Sequence, residues 1–415
     1  MSPSENGRLH SVLLYAHDTY GLGHLRRNLA IASHLLEGRP GLRAVLMTGS
    51  PVAERFDLPA GLDLVRLPPV VKVGPEQYRP RDRRLDPELV RRVRGAIMAD
   101  VARRFAPEVF LVDHAPQGMR GELLPVFSAL RSASPSTRIV LGLRDVVDDS
   151  ATVRRVWSEQ DVYATLEERF DRVLVYGSAA VLDVAAEYRL SGAIAAKVTY
   201  CGYLARPVPP ATEPEPGSTK AEDALVLGTA GGGGDGADVL SATLNACAAL
   251  GARGLVVTGP LMDASQRAAL ERQAAESPLL SVVEFHPALG TAMATASAVV
   301  TMGGYNTLCE LVAIGVPTVV VPRQQPRREQ AIRAELFARR GLVRVVEPGR
   351  DLAGRVAEAL KASLGEGRRF APACLDLGGL GRVGDVLDEE AVAARRSRGQ
   401  RVRSFFEPAR ASVPA

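Results

Sequence analysis

The chain has 415 residues, enough for two or three domains of ordinary size, and its 46% hydrophobic and 24% charged content is that of a globular protein. A net charge of +4 does not argue for nucleic acid as a partner. Cys201, Cys247, Cys309 and Cys374 lie far apart with no Cys-x-x-Cys spacing, which argues against a disulfide framework or zinc site and for reduced thiols in a cytoplasm.

Met1 to His10 is polar and lacks an apolar signal core, and no uncharged apolar stretch approaches the ~20 residues that span a bilayer. The expectation is a cytoplasmic protein with no transmembrane segment, compatible with peripheral membrane contact. Nearly all the positive charge is Arg; there are four lysines, Lys72, Lys197, Lys220 and Lys361.

The first strand is the apolar run Ser11 to Ala16. His17-Asp18-Thr19-Tyr20-Gly21-Leu22-Gly23-His24 is its turn, and a helix follows from about Leu25 to Leu36. A strand, a Gly-bearing turn and a helix put backbone N–H groups at the carboxyl edge of a sheet. Arg26 stands where the dinucleotide fingerprint needs its last glycine, so a Rossmann dehydrogenase is disfavoured. The alternation continues with a strand at Ala44 to Thr48, a helix from about Pro51 and a strand at Leu62 to Arg66. Val70 to Arg84 reads as a loop rich in Pro and Arg.

Asp86-Pro87-Glu88 starts a helix, with Asp as cap and Pro in the first turn. Leu89, Val93, Ile97, Val101 and Phe105 line one face of it at helical spacing. Arg91, Arg92 and Arg94 fall elsewhere, as a solvated face or as a basic lip for an anionic acceptor or lipid headgroups. Strands ending at Asp113 and Arg144 follow, with His114 and Asp145 next in line, at the edge where open α/β sheets bind ligands. Thr152 to Phe170 reads as helix, Arg172 to Tyr176 as strand, and Val198 to Tyr203 closes an N-terminal domain of residues 1–205. No metal site is read from the aspartates around Asp148 and Asp149.

The Pro-rich stretch 206–223 reads as a linker. A second domain, 224–390, repeats the strand–helix alternation. Its first strand, Ala224 to Thr229, runs into Gly231-Gly232-Gly233-Gly234-Asp235-Gly236, which lacks the Gly-Lys-Ser/Thr ending of a P-loop. Val282 to Phe285 is another strand, followed by His286-Pro287, which opens the next helix. Ala298-Val299-Val300 feeds Thr301-Met302-Gly303-Gly304-Tyr305-Asn306-Thr307-Leu308-Cys309-Glu310, and the helix from about Asn306 stops at Gly315. Its N-terminus is suited to phosphate, and Glu310, about one turn in, could accept two hydroxyls, as from a ribose. The C-terminus, 391–415, is an Arg-rich tail with Phe405 and Phe406.

The run from Gly303 through Pro317, with Pro322-Arg323-Gln324-Gln325 and Arg328-Glu329-Gln330, resembles the sugar-donor signature of GT-B glycosyltransferases, most closely family 28. Gly21-Leu22-Gly23-His24 is similar to the first Gly loop of that fold. The resemblance implies an α/β GT-B fold: two Rossmann-like halves facing a cleft, with the last helix crossing back to the first half. It implies that Gly303, Gly304, Tyr305, Asn306, Thr307 and Glu310 hold nucleotide and ribose. Gly231, Gly232 and Gly233 would touch the diphosphate, and Gln325, Glu329 and Gln330 would reach the sugar. Glu329 stands where the family has Gln.

By the same resemblance His24 and Asp113 form the base dyad, with His17, Asp18 and Asp145 as alternative bases. These three, with Gly21 and Gly23, are read as the acceptor side of the cleft. His286 is read as a structural residue or a contact to the nucleotide base. The implied activity is inverting, metal-independent transfer of a sugar from a nucleotide diphosphate sugar to a small-molecule, natural-product or lipid-linked acceptor. The sugar donor is expected to be UDP-linked N-acetylglucosamine or a related hexose, with no cofactor beyond it. A nucleotide-sugar 2-epimerase and a non-catalytic sugar-nucleotide-binding scaffold are the rivals on the same fold.

Overall fold

A computed structural model describes residues 7–18, 22–74, 77–206, 224–366 and 375–406. Gly21, nearly all of the expected linker and the end of the expected tail lie outside these residues, as do the side chains of Phe405 and Phe406.

The short apolar runs become strands because a parallel sheet is covered by helices on both faces. In chain order they are β1 (Ser11–Ala16), β2 (Arg43–Thr48), β3 (Leu62–Arg66), β4 (Val70–Gly74), β5 (Gln77–Pro80), β6 (Val109–Asp113), β7 (Arg138–Arg144), β8 (Arg172–Tyr176) and β9 (Val198–Tyr200). The second series is β10 (Leu225–Thr229), β11 (Arg253–Val257), β12 (Leu280–Val283), β13 (Ala298–Thr301), β14 (Thr318–Val320) and β15 (Arg344–Val345).

The first series forms a parallel sheet in the order β3-β2-β1-β6-β7-β8-β9, and the second one in the order β12-β11-β10-β13-β14-β15. Each sheet winds outward in two directions from a central pair, β1 with β6 and β10 with β13. Open α/β sheets bind ligands beyond the carboxyl ends of such a pair, where the winding reverses. Four turns matter most for that reason: those after β1, β6, β10 and β13.

The helix Gly379–Phe406 returns to the first half. Its Val383, Leu387 and Ala391 share a buried cluster with Leu25 and Leu35 of the helix Gly23–Gly38, and its Glu390 accepts from Arg138 and Arg172. The same cluster takes in Tyr305, Leu308, Val312 and Phe337 from the second half, so apolar packing is continuous between the two halves.

Several elements differ from the sequence reading. The loop at Val70 to Arg84 contains the antiparallel hairpin β4–β5. The helix expected from Pro51 is a single 3-10 turn, Ala53–Arg55. Asp161, at φ 53°, splits the expected helix at 152–170 into Ser150–Glu159 and Val162–Arg169. The Arg-rich segment 395–403 continues the last helix rather than forming a separate tail.

In the helix Pro87–Phe105 the buried face is Val90, Arg94, Met98 and Ala102, while Leu89 and Val93 are 46% and 40% exposed. Arg94 decides this register. Its Nε and Nη2 donate to Glu122 Oε2 and Oε1 at 2.6 and 2.9 Å, in a buried network completed by the Tyr15 hydroxyl. Arg94 is therefore no part of a basic lip.

Candidate active site

The turns after β1, β6, β10 and β13 converge on a cleft of about 530 Å³ between the two sheets. From the first half it is lined by His17, Gly23, His24, Arg27, His114 and Arg144. From the second it is lined by the loop Ala230 to Asp235, by Gly304 to Thr307, and by Arg323, Gln325, Glu329 and Gln330.

His24 sits in the first turn of the helix Gly23–Gly38, directly across from the end of β6. Its Nδ1 lies 2.5 Å from Asp113 Oδ2, and the side chains are 17% and 2% exposed. Arg27, one turn further along the same helix, donates from Nε to Asp113 Oδ1 and from Nη2 to Oδ2, both at 2.8 Å. Burial alone would raise the Asp113 carboxyl; Arg27 and then His24 outweigh it and hold it below the usual carboxylate range. Burial pushes His24 down to about 4, against the pull of Asp113. The pair therefore rests as carboxylate and neutral imidazole. With Nδ1–H donated to Asp113, the lone pair is on Nε2.

The opposite wall is made of backbone. Gly304 caps the helix Tyr305–Ile314 with no side-chain hydrogen bond and no acidic residue in the first turn. The free N–H groups and the helix dipole suit an anion there. In the loop after β10, Gly233 has φ 90°, and a Cβ there would lie 2.1 Å from the Thr258 carbonyl oxygen. Only glycine lets that backbone turn so closely under the cleft. Gly231 and Gly232 line the cleft beside it, whereas Gly303, at φ 83°, shapes the turn from behind.

Not all expected site residues meet here. Glu310 is buried and is not part of the cleft lining. Arg26 Nη2 lies 3.0 Å from each of its oxygens, and Arg206 Nε donates to Oε1 at 2.8 Å. A ribose could take Glu310 only by displacing both guanidiniums. Asp145 is bound by Arg333, from Nε at 3.0 Å and Nη2 at 2.7 Å, in a fully buried pair that joins the two halves. Asp18 does not line the cleft; it accepts from Leu25 N at 3.0 Å and from the Thr48 hydroxyl, fixing the start of the helix that carries His24. Neither aspartate, each read as an acceptor contact or alternative base, is part of the cleft lining. His286 follows β12 outside the cleft lining.

His17 remains on the wall, with Nδ1 3.1 Å from the Tyr15 hydroxyl and its ring edge-on to His24 at 5.7 Å. Asn306 Nδ2 donates to Gly23 O at 2.9 Å, tying the two Gly turns together. Glu329 is buried and accepts from Arg323 Nη2 at 2.6 Å, and Gln330 Oε1 accepts from Arg323 N at 3.0 Å. Burial acts to raise Glu329, but Arg144 and Arg323 keep it below the ordinary range. Arg27, His114 and Arg144 are site residues the sequence reading did not assign. The only signal for Arg27 is its place three residues after His24, on the same helical face.

Two parallel sheets meeting at their switch points around one cleft, with the last helix crossing back, make this a GT-B fold. Solved structures similar over nearly the whole chain agree. The calicheamicin glycosyltransferase CalG4 has a TM-score of 0.56 at 16% identity, covering 98% of this chain and 100% of its own. The Acinetobacter baumannii MurG has a TM-score of 0.52 at 13% identity, covering 95% and 99%. A candidate UDP-N-acetylglucosamine 2-epimerase from Listeria monocytogenes has a TM-score of 0.60 at 14% identity, covering 96% and 98%.

Residues 230–373 match the glycosyltransferase family 28 C-terminal domain. Over 82 residues the chain is 33% identical to the UDP-N-acetylglucosamine--N-acetylmuramyl-(pentapeptide) pyrophosphoryl-undecaprenol N-acetylglucosamine transferase of Histophilus somni strain 129Pt. That match covers 20% of this chain and 23% of the relative's length. Among the described residues no helix is long and apolar enough to cross a membrane.

Proposed function

We propose that this protein is an inverting, metal-independent glycosyltransferase, using a nucleotide diphosphate sugar and an acceptor hydroxyl. The observation that carries the reading is one cleft with two different walls. A neutral histidine oriented by a carboxylate stands on the first half, and an uncapped helix start with a Gly loop stands on the second. The first half, roughly 1–205, holds the acceptor, and the second, roughly 224–390, holds the sugar donor. UDP is the preferred nucleotide and N-acetylglucosamine or a related hexose the preferred sugar, in keeping with the curated relative's printed activity.

In this reading His24 Nε2 removes the acceptor's hydroxyl proton as the oxygen attacks the anomeric carbon. The carbon–phosphate-oxygen bond breaks, and its electron pair leaves on the nucleoside diphosphate. The imidazolium formed is stabilised by the Asp113 carboxylate, which Arg27 keeps ionised and in place. Backbone N–H groups of the Gly304 to Thr307 turn and of the loop after β10 meet the charge developing on the diphosphate. Gln325, Glu329 and Gln330 contact the sugar.

The test is to incubate the protein with UDP-N-acetylglucosamine and a panel of acceptor alcohols, and to read the anomeric configuration of the product by NMR. Inversion is expected, and a retained configuration contradicts the mechanism. The same incubation without acceptor separates the reading from the epimerase, which would yield the 2-epimer.

A further inference from the structure

Three arginines of the cleft have carboxylate partners: Arg26 with Glu310, Arg27 with Asp113, and Arg323 with both Asp235 and Glu329. Arg144, at the end of β7, makes no direct ion pair with a carboxylate among the described residues, although it is half-buried; Glu329 acts on it only from beyond ion-pair distance. Its Nη2 approaches His114 Nε2 at 3.1 Å, and its Nε is buried without a partner. A guanidinium cannot accept a hydrogen bond, so His114 Nε2 is the acceptor and its proton is on Nδ1, itself buried and unpartnered. Burial, and then Arg144, holds His114 well below its ordinary range, so this contact brings no negative charge.

A half-buried cation without a directly paired carboxylate is costly unless a ligand supplies a close anion. The local backbone points the same way. His114 has φ 66°, a left-handed conformation that non-glycine residues seldom adopt and that is frequent at functional sites. It brings the imidazole between Arg144 and His24, with the two histidine rings 5.4 Å apart. Arg144 therefore lies on the same wall as the base, across from the backbone donors of the second half.

We propose that Arg144, positioned by His114, binds an oxyanion of the sugar acceptor, so that the acceptor carries a carboxylate or phosphate near the hydroxyl that is glycosylated. The assignment rests on the glycosyl-transfer reading and adds the charge class of its second substrate. Phosphate and carboxylate offer the same chemistry to a guanidinium, which can hold either through two N–H groups.

The experiment is calorimetric titration of the nucleotide-saturated full-length protein with inorganic phosphate and, separately, with benzoate, in wild type, Arg144→Gln and Arg144→Lys. At least one probe is expected to bind wild type in the millimolar range, about tenfold more weakly to Arg144→Gln and with an intermediate affinity to Arg144→Lys. Whichever probe responds tells phosphate from carboxylate. Nucleotide affinity is expected to be equal in all three proteins, which also shows that the variants are folded.

Probe binding that is absent from wild type, or indifferent to both substitutions, overturns the assignment while leaving the transfer reading in place. A parallel loss of nucleotide affinity in Arg144→Gln overturns it differently, by giving the guanidinium to the sugar donor's diphosphate. Failure of wild type to bind any of UDP, TDP and GDP brings down the transfer reading and this assignment together.

Discussion

His24 owes its proposed role to two neighbours that act in opposite ways. Asp113 accepts from Nδ1 and fixes the tautomer, while Arg27 neutralises that carboxylate and keeps it from becoming a base itself. Replacing His24 by Ala should lower turnover by roughly 10²–10⁴-fold and leave nucleotide affinity unchanged, as steady-state rates and calorimetry on one preparation would show. Because burial lowers the free-enzyme pKa to about 4, His24 stays neutral through the physiological range. The acid limb of the kcat/KM profile should therefore fall near pH 4, and a limb near 6.5 would mean that the group titrating is exposed.

The resemblance to the first Gly loop of GT-B enzymes pairs His24 with Asp113, and the structure brings these two side chains into contact. The fate of Glu310 was not legible in the sequence. Its partners Arg26 and Arg206 are 284 and 104 residues away, and arginines in an Arg-rich chain look alike until the fold selects among them. Asp18 and Asp145 were misread for the same reason. A strand-end aspartate is open to a ligand only if no helix N-terminus or buried arginine has already taken it.

At the scale of elements, the helix Gly23–Gly38 begins on Asp18 rather than on a cap of its own. Burial raises Asp18 to about 7 in the folded protein, whereas in the unfolded chain it titrates near 3.8. Between those values the native state holds a proton that the unfolded state has lost, so this group's contribution to stability falls as pH rises through the window and is level above it. Asp18→Asn keeps an acceptor for Leu25 N and a donor for Thr48. Its stability relative to wild type should rise between pH 4 and pH 7 by on the order of a few kcal/mol in denaturant melts. A constant difference would show that Asp18 titrates normally.

The alternation of apolar runs with helices marks both halves as layered α/β sheets, which is why the architecture was readable. Helix faces were less so. Leu89 and Val93 fit the helical period, yet the buried Arg94–Glu122 pair turns the helix Pro87–Phe105 so that they face outward. Hydrophobic spacing cannot foresee a buried ion pair.

For the molecule as a whole, the two halves are held by apolar packing around Tyr305 and Phe337 and by the buried Arg333–Asp145 pair. Arg333→Met leaves the Asp145 carboxylate buried without its partner and should cost about 3–5 kcal/mol. Chemical denaturation would measure this, and a change under 1 kcal/mol would mean that Asp145 finds water or another donor. The cleft exists only because these contacts bring two sets of switch-point turns together, one carrying His24 and the other the backbone N–H groups.

The most direct test of that account is calorimetric titration of UDP, TDP and GDP into wild type and Gly233→Ala, without divalent metal. In the variant a Cβ would meet the Thr258 carbonyl and push the loop out of position. The account predicts micromolar binding of one nucleotide to wild type, weakened by about tenfold or more in a variant that remains folded. No binding of any of the three, or equal binding to both proteins, would contradict a sugar-donor site in this cleft.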